Sequence, residues 1–142
     1  MQRKQRRIAF DLDETLGTPA IAENTIVGFN IRQGCEELLE ELSQDNELVV
    51  WTVSRRSYVQ KVLEYGLRQY FSTIYSWDEV SLEWKDIRQL HIDYLIDDSA
   101  YHRDEAQKHG MASQYIIVPA YGSPEDNANP LAWVAMVRAA LE

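Results

Sequence analysis

The sequence predicts an α/β fold: a Rossmann-like three-layer sandwich with a central, mainly parallel sheet. Three observations lead there. Short apolar runs alternate with stretches of helical period along the chain. Acidic and hydroxyl residues follow directly after several of those runs. The 142 residues suit one domain, and a domain of this size buries about 68–70% of the surface its unfolded chain exposes.

Each element has its own justification. Residues 7–10 read as a short buried strand that runs into Asp11. Residues 15–32 show no clear period and contain Gly17, Pro19 and Gly28, which predicts a loop or small flap. Residues 33–43 place Leu38, Leu39 and Leu42 among glutamates, an amphipathic helix closed by a turn at Asp45-Asn46. Residues 47–52 form a second buried strand of β-favouring residues. Ser54 is a candidate N-cap for a helix over 57–67, with Val59, Val62 and Leu63 at helical spacing and Gly66 near its end. Residues 73–75 give a third strand, 83–90 a helix beginning near Lys85, and 93–96 a strand ending at Asp97-Asp98. Residues 101–109 are helical, with Gly110 as terminator. Residues 115–118 are the last strand and 119–129 a loop. Pro130 opens a closing helix with Leu131, Val134, Val137 and Leu141 on one side.

Composition narrows the function. Cys35 is the only cysteine, so no intrachain disulfide forms, which suits a reducing, cytoplasmic setting. No apolar run approaches the ~18 residues that span a bilayer, so no membrane partner is expected. The basic start, residues 1–6, reads as a solvated leader to a single domain over 1–142. A net charge of −9 argues against gripping duplex DNA through a broad basic face. The same charge repels a phosphorylated substrate at long range. Local cations must answer it: a metal, Lys85, and Arg55 or Arg56.

The chemistry gathers at strand ends. Asp11 and Asp13 are spaced so that both face one small volume where the first strand frays. Two carboxylates there repel, and either a hard divalent cation or a shared proton relieves them. In open parallel sheets, ligands bind beyond the carboxyl ends of the strands. Thr52 closes the second strand, Asp97 and Asp98 follow a later one, and Lys85 precedes it. Residues distant in sequence therefore converge on one rim.

Asp11-Leu12-Asp13-Glu14-Thr15 resembles the signature of the haloacid dehalogenase (HAD) superfamily, whose members are mostly phosphatases. Thr52 stands where that family's second motif has Ser or Thr, Lys85 where the third has a basic residue, and Asp97-Asp98 where the fourth has an acidic pair. The segments 11–16, 49–54 and Lys85-Asp86 resemble a branch of small NLI-interacting-factor-like phosphatases acting on phosphorylated polymerase tails and related proteins. Arg32-Gln33-Gly34 resembles that branch's Arg-Pro-Gly with glutamine for proline, and Asp98 departs from its asparagine.

The resemblance implies a Mg²⁺-dependent phosphomonoester hydrolase. Asp11 would take the phosphoryl group and Asp13 would act as general acid and base. Thr52 and Lys85 would bind the phosphoryl oxygens, Lys85 neutralising charge on the transferring group, with Lys61 as the alternative lysine. Mg²⁺ would be held by Asp11, the Asp13 backbone carbonyl, and Asp97 or Asp98. Members of the superfamily often carry a cap inserted after the first or second motif; the short gaps here imply no large cap domain and an open site, suited to a phosphoprotein, a nucleic-acid end or a small phosphate. Thr15 is read as tying down its loop, His102 (just past the acidic pair, where it could border the site) as a histidine without a functional role, and Trp77 and Trp84 as packing residues that could border the rim.

Two other classes remain to be distinguished. One is a phosphatase-like binding domain without turnover, disfavoured because Asp11 and Asp13 are both intact. The other is a signalling receiver domain, whose acidic pair belongs to the first strand and whose phosphorylated aspartate belongs to a middle one; here that order is reversed.

Overall fold

The computed structural model describes residues 5–142. Seven strands and five α-helices follow in the order β1 (Arg6–Phe10), β2 (Gly17–Ala22), β3 (Thr25–Ile31), α1 (Cys35–Ser43), β4 (Asn46–Trp51), α2 (Arg56–Leu63), β5 (Thr73–Tyr75), β6 (Tyr94–Asp97), α3 (Tyr101–Gln107), β7 (Tyr115–Ile117), α4 (Pro124–Ala128) and α5 (Ala132–Leu141). Five strands form one sheet in the order β5-β4-β1-β6-β7, and every pairing in it is parallel.

Alternation of side chains across the sheet builds the three layers. Ile8, Phe10, Leu48, Val50, Ile96 and Ile116 face one side, where α1, α2 and α5 cover them with Leu38, Leu39, Val59, Val62, Trp133 and Val137. Ala9, Val49, Trp51, Leu95 and Tyr115 face the other, against Ile87, Ile92 and Ala106. β1 lies in the middle, with β4 on one side and β6 on the other. The chain therefore reverses its winding direction beside β1, and a crevice opens there at the carboxyl ends of the strands.

The segment 15–32, expected to be a loop or flap, is an antiparallel hairpin of β2 and β3. Its two-residue turn is Glu23-Asn24, both in the left-handed region at φ 51° and 63°. That is the backbone of a type I′ turn, whose right-handed twist matches the flanking strands. Gly17 begins the hairpin because a Cβ there would lie 2.2 Å from the Asn30 carbonyl oxygen. Ile26, Phe29 and Ile31 then pack on the main core. The hairpin is the sole insertion between β1 and α1, and no cap domain is present among the described residues.

Other boundaries move by a few residues. The helix expected over 83–90 is only a 3₁₀ turn at Ile87–Leu90, capped by the Asp86 carboxylate accepting from Arg88 N–H; Lys85 precedes it in irregular chain. The loop expected over 119–129 contains α4, which Ser123 caps at its N-terminus. Ser54 does not cap α2, whose N-cap is Arg55 with no side-chain bond. Residues 1–4 of the expected basic leader lie outside the described residues, and Arg6 is already part of β1. Among the described residues, no helix is long and apolar enough to cross a membrane.

Candidate active site

The parallel register sets the site. Phe10 is level with Val50 and with Ile96, so Asp11, Thr52 and Asp97 emerge at the same end of three adjacent strands. The Asp11 N–H continues the ladder by donating to the Ile96 carbonyl at 2.9 Å. The chain then turns sharply, with Leu16 N–H bonded to the Leu12 carbonyl at 2.9 Å, and buried Leu12 and Leu16 anchor that turn in the core.

The Lys85 ammonium occupies the centre. It donates to Asp11 Oδ1 at 2.9 Å and to Asp97 Oδ2 at 2.9 Å, with its side chain only 4% exposed. Burial opposes its charge, but Asp11 and Asp97 outweigh burial and raise its pKa. Lys85 is therefore a fixed cation. The Asp11 pKa is raised too: burial raises it, Lys85 draws it part of the way down, and neighbouring Asp98 adds to the rise. Asp98 is raised as well, by burial first and then by Asp97.

One oxygen from each of Asp11, Asp97 and Asp98 lies within 4.8 Å of the others. All are hard carboxylate donors, the kind that Mg²⁺ selects. Three carboxylates against one ammonium leave surplus negative charge in a half-buried place, which suits a divalent cation. Both Asp97 oxygens are engaged, Oδ2 by Lys85 and Oδ1 by the Ser99 N–H at 2.9 Å. Asp98 Oδ1 accepts from the Thr15 hydroxyl at 3.0 Å, and among the described residues its Oδ2 has no hydrogen-bond donor.

Thr15 is fully buried, and its hydroxyl stands 3.2 Å from Asp11 Oδ2 as well as 3.0 Å from Asp98. It ties the turn down and aligns both carboxylates. Thr52, 2% exposed, accepts from the Ser54 N–H at 3.1 Å, which leaves its own hydrogen free to donate. Lys61, the alternative lysine, lies on α2 and is exposed. Asp13 is held apart from the acidic cluster. Its Oδ1 accepts from the Tyr58 hydroxyl and its Oδ2 from the Ser54 hydroxyl at 3.3 Å.

Tyr58 is a support that the sequence reading leaves unassigned, while Ser54 (expected as an N-cap) and His102 support the site in ways that reading did not specify. Ser54 and Tyr58 are four apart and follow Thr52, so they line the start of α2 beside the site; that spacing was the available signal. His102 Nδ1 accepts the Lys85 N–H at 2.9 Å, which fixes the backbone carrying the lysine. Trp84 stacks on His109 with centroids 5.7 Å apart and packs in the second core, whereas Trp77 is 37% exposed.

His102 makes a pH prediction. Burial, and then the Lys85 charge, lower its pKa to about 4, with Asp97 pulling weakly the other way. The unfolded value is ~6.5, so the neutral ring contributes stability above that pH. The contribution is lost as pH falls through the window down to about 4. His102→Asn keeps an acceptor but does not titrate. Denaturant midpoints between pH 7.5 and 4.5 are expected to fall less steeply in this variant than in wild type.

Comparison with known proteins agrees with this geometry. The family model described as NLI interacting factor-like phosphatase matches residues 7–128. No curated protein matches the sequence. Among solved structures, the chain resembles a putative β-phosphoglucomutase from Thermotoga maritima (TM-score 0.66, 12% identity, 95% of this chain and 99% of that one). It also resembles the fission yeast RNA polymerase II CTD phosphatase Fcp1 (TM-score 0.63, 14% identity, 95% of this chain and 51% of that one). A HAD-superfamily hydrolase from Geobacter sulfurreducens gives TM-score 0.57 at 14% identity, over 82% of this chain and 93% of that one. At these identities the structures establish the fold. The family match spans most of the chain and takes in the central sheet from Arg7 of β1 to β7, and so this protein belongs to the NLI interacting factor-like phosphatases.

Proposed function

We propose that the protein is a Mg²⁺-dependent phosphomonoester hydrolase that works through an aspartyl phosphate on Asp11. The observation that carries this reading is the Lys85 ammonium, buried and 2.9 Å from both Asp11 and Asp97. It offsets part of the cost that burial puts on the charge of the attacking carboxylate, and it stands where negative charge gathers on a transferring group. An Asp11 oxygen bonds to phosphorus as the ester P–O bond breaks, and Asp13 gives its proton to the departing oxygen. Water then attacks the same phosphorus, passes a proton back to Asp13, and returns the electron pair of the acyl-phosphate bond to Asp11. The free hydrogen of Thr52 serves a phosphoryl oxygen throughout.

Asp11, Asp98 and the Asp13 carbonyl would hold the cation, since Asp97 is already occupied by Lys85 and Ser99. When bound, Mg²⁺ offsets the surplus carboxylate charge and attracts the substrate's phosphoryl oxygens. An open groove runs from Asp98 past Arg103, Pro119, Ala120 and Ser123. With no cap over it, the site suits a substrate large enough to exclude water by its own bulk. A phosphoprotein is the first class to test, with small phosphates as slower substrates.

The direct test is hydrolysis of p-nitrophenyl phosphate with Mg²⁺, with excess chelator, and with Mg²⁺ restored. A metal contributing several kcal/mol to the barrier predicts about a hundredfold loss or more in chelator, regained on adding Mg²⁺. Equal rates in all three conditions would remove the metal from the reading. No hydrolysis in any condition, on phosphopeptides as well, would remove the hydrolase.

A further inference from the structure

The two oxygens of Asp13 are not equivalent. Oδ1 accepts a hydrogen bond from the Tyr58 hydroxyl, whereas Oδ2 has the Ser54 hydroxyl at 3.3 Å, beyond the usual range for a good O–H···O bond. Tyr58 lies on α2 beside Val59, which is fully buried in the main core, and its own ring packs against that core. The phenol is thus delivered by a rigid element, and only its tip reaches the site. Asp13 itself sits on a turn whose neighbours Leu12 and Leu16 are buried, and the Glu14 N–H is bonded to the Gly17 carbonyl at 2.8 Å. With the backbone fixed on one side and the phenol on the other, the carboxylate has one oxygen pinned and one loosely held.

We infer that Tyr58 is a positioning residue for the proton-transfer step: its hydroxyl pins Asp13 Oδ1 and leaves Oδ2 as the oxygen that carries the proton. In the first step the Oδ2–H proton passes to the ester oxygen as its bond to phosphorus breaks. The negative charge left on Asp13 is stabilised by the phenol O–H still donating to Oδ1. In the second step the attacking water returns a proton to Oδ2. Tyr58 keeps its own proton throughout, so atoms and charge balance without a further reactant. The Ser54 hydroxyl, with the longer contact, releases Oδ2 when substrate arrives. This inference rests on the proposed hydrolase reading, and it adds a residue to which that reading assigns no part.

Tyr58→Phe removes one hydroxyl and keeps the ring in its packing. A poor leaving group needs the proton, whereas p-nitrophenolate departs without it. General acid catalysis is typically worth ~10²–10⁴-fold, and misaiming the acid forfeits part of that. For Tyr58→Phe, kcat/KM on alkyl phosphates is expected to fall about tenfold to a hundredfold, and on p-nitrophenyl phosphate by about threefold or less. In an Asp13→Asn background the same change is expected to have no further effect. Tyr58→His, which retains a donor, is expected to recover part of the alkyl-phosphate loss and serves if the phenylalanine variant melts early. An equal loss across leaving groups, or an undiminished effect in the Asp13→Asn background, would overturn the assignment while leaving the hydrolase intact. A wild-type protein that hydrolyses no phosphate would remove both.

Discussion

Asp11→Asn is expected to lower phosphate-monoester hydrolysis by about 10⁴-fold or more, the scale of losing a nucleophile that acts in concert with its partners. The substitution changes little in shape. Asparagine occupies the same space, and the Asp11 N–H bond to Ile96 belongs to the backbone. Lys85 keeps Asp97 as its second partner at 2.9 Å. Removing a carboxylate that burial already makes costly to ionise is expected to leave the melting temperature unchanged or slightly raised, the pattern of a residue kept for activity at the expense of stability. Rate and melting temperature measured on one preparation separate this from unfolding. Acid-quenched mass spectrometry on wild type should also show a phosphoryl adduct within the peptide containing Asp11, absent in the variant. Residual activity within tenfold of wild type would mean that another group attacks phosphorus.

The largest stability effect is expected at Arg32. Its guanidinium is 1% exposed and pairs with Asp126, 9% exposed, at 2.9 Å. It also donates to the Thr15 carbonyl at 3.2 Å and the Pro119 carbonyl at 2.6 Å, and lies 4.7 Å over the Trp133 ring. One side chain thus fastens the end of the hairpin to the turn carrying Asp11 and Asp13, to the chain after β7, and to α5. Arg32→Met leaves Asp126 buried with only the Gly122 N–H as donor to its Oδ2. Breaking a buried pair from one side costs about 3–5 kcal/mol, a fall of roughly 10 °C or more in melting temperature for a domain of this size. Asp126→Asn keeps a hydrogen-bonding shape without the charge and is expected to lose less. Adding Asp126→Leu to Arg32→Met should recover part of the loss, because the uncompensated charge goes with it. Calorimetry on the four proteins checks the order. A single variant Arg32→Met that melts with wild type would show the pair to be neutral.

Much of the architecture was legible because it rests on local pattern. The runs at 47–52, 73–75 and 93–96 correspond to β4, β5 and β6 within a residue or two, since a strand buried on both faces has little choice but continuous β-favouring residues. The common exit of Asp11, Thr52 and Asp97 follows from parallel order, whereas Lys85 arrives from irregular chain. The hairpin was not legible. Its turn is Glu23-Asn24 rather than the glycine-bearing pair that signals a type I′ turn, and Pro19 sits within β2, where edge pairing tolerates it. Lys85 lay on an expected helix because residues 83–90 contain helix formers; tertiary bonds from His102 and from Tyr115, whose hydroxyl donates to the Lys85 carbonyl at 2.7 Å, hold it irregular instead. Arg32 and Asp126 are 94 residues apart, a separation at which a single sequence carries no pairing signal. Beyond its spacing from Ser54, Tyr58 has no pattern in the sequence that distinguishes it, and only the fold turns its hydroxyl toward Asp13.

β1 is made first yet ends up in the middle of the sheet, with its neighbours supplied by residues 46–51 and 94–97. A nascent chain emerging from the ribosome therefore carries its attacking carboxylate long before it owns the lysine and the acidic pair that give that group its chemistry. Until β6 docks, the first strand has one open flank and Asp11 stands in water as an ordinary acid. Catalytic competence arrives late and all together, and turnover reports completed synthesis of the sheet more sharply than helix content does.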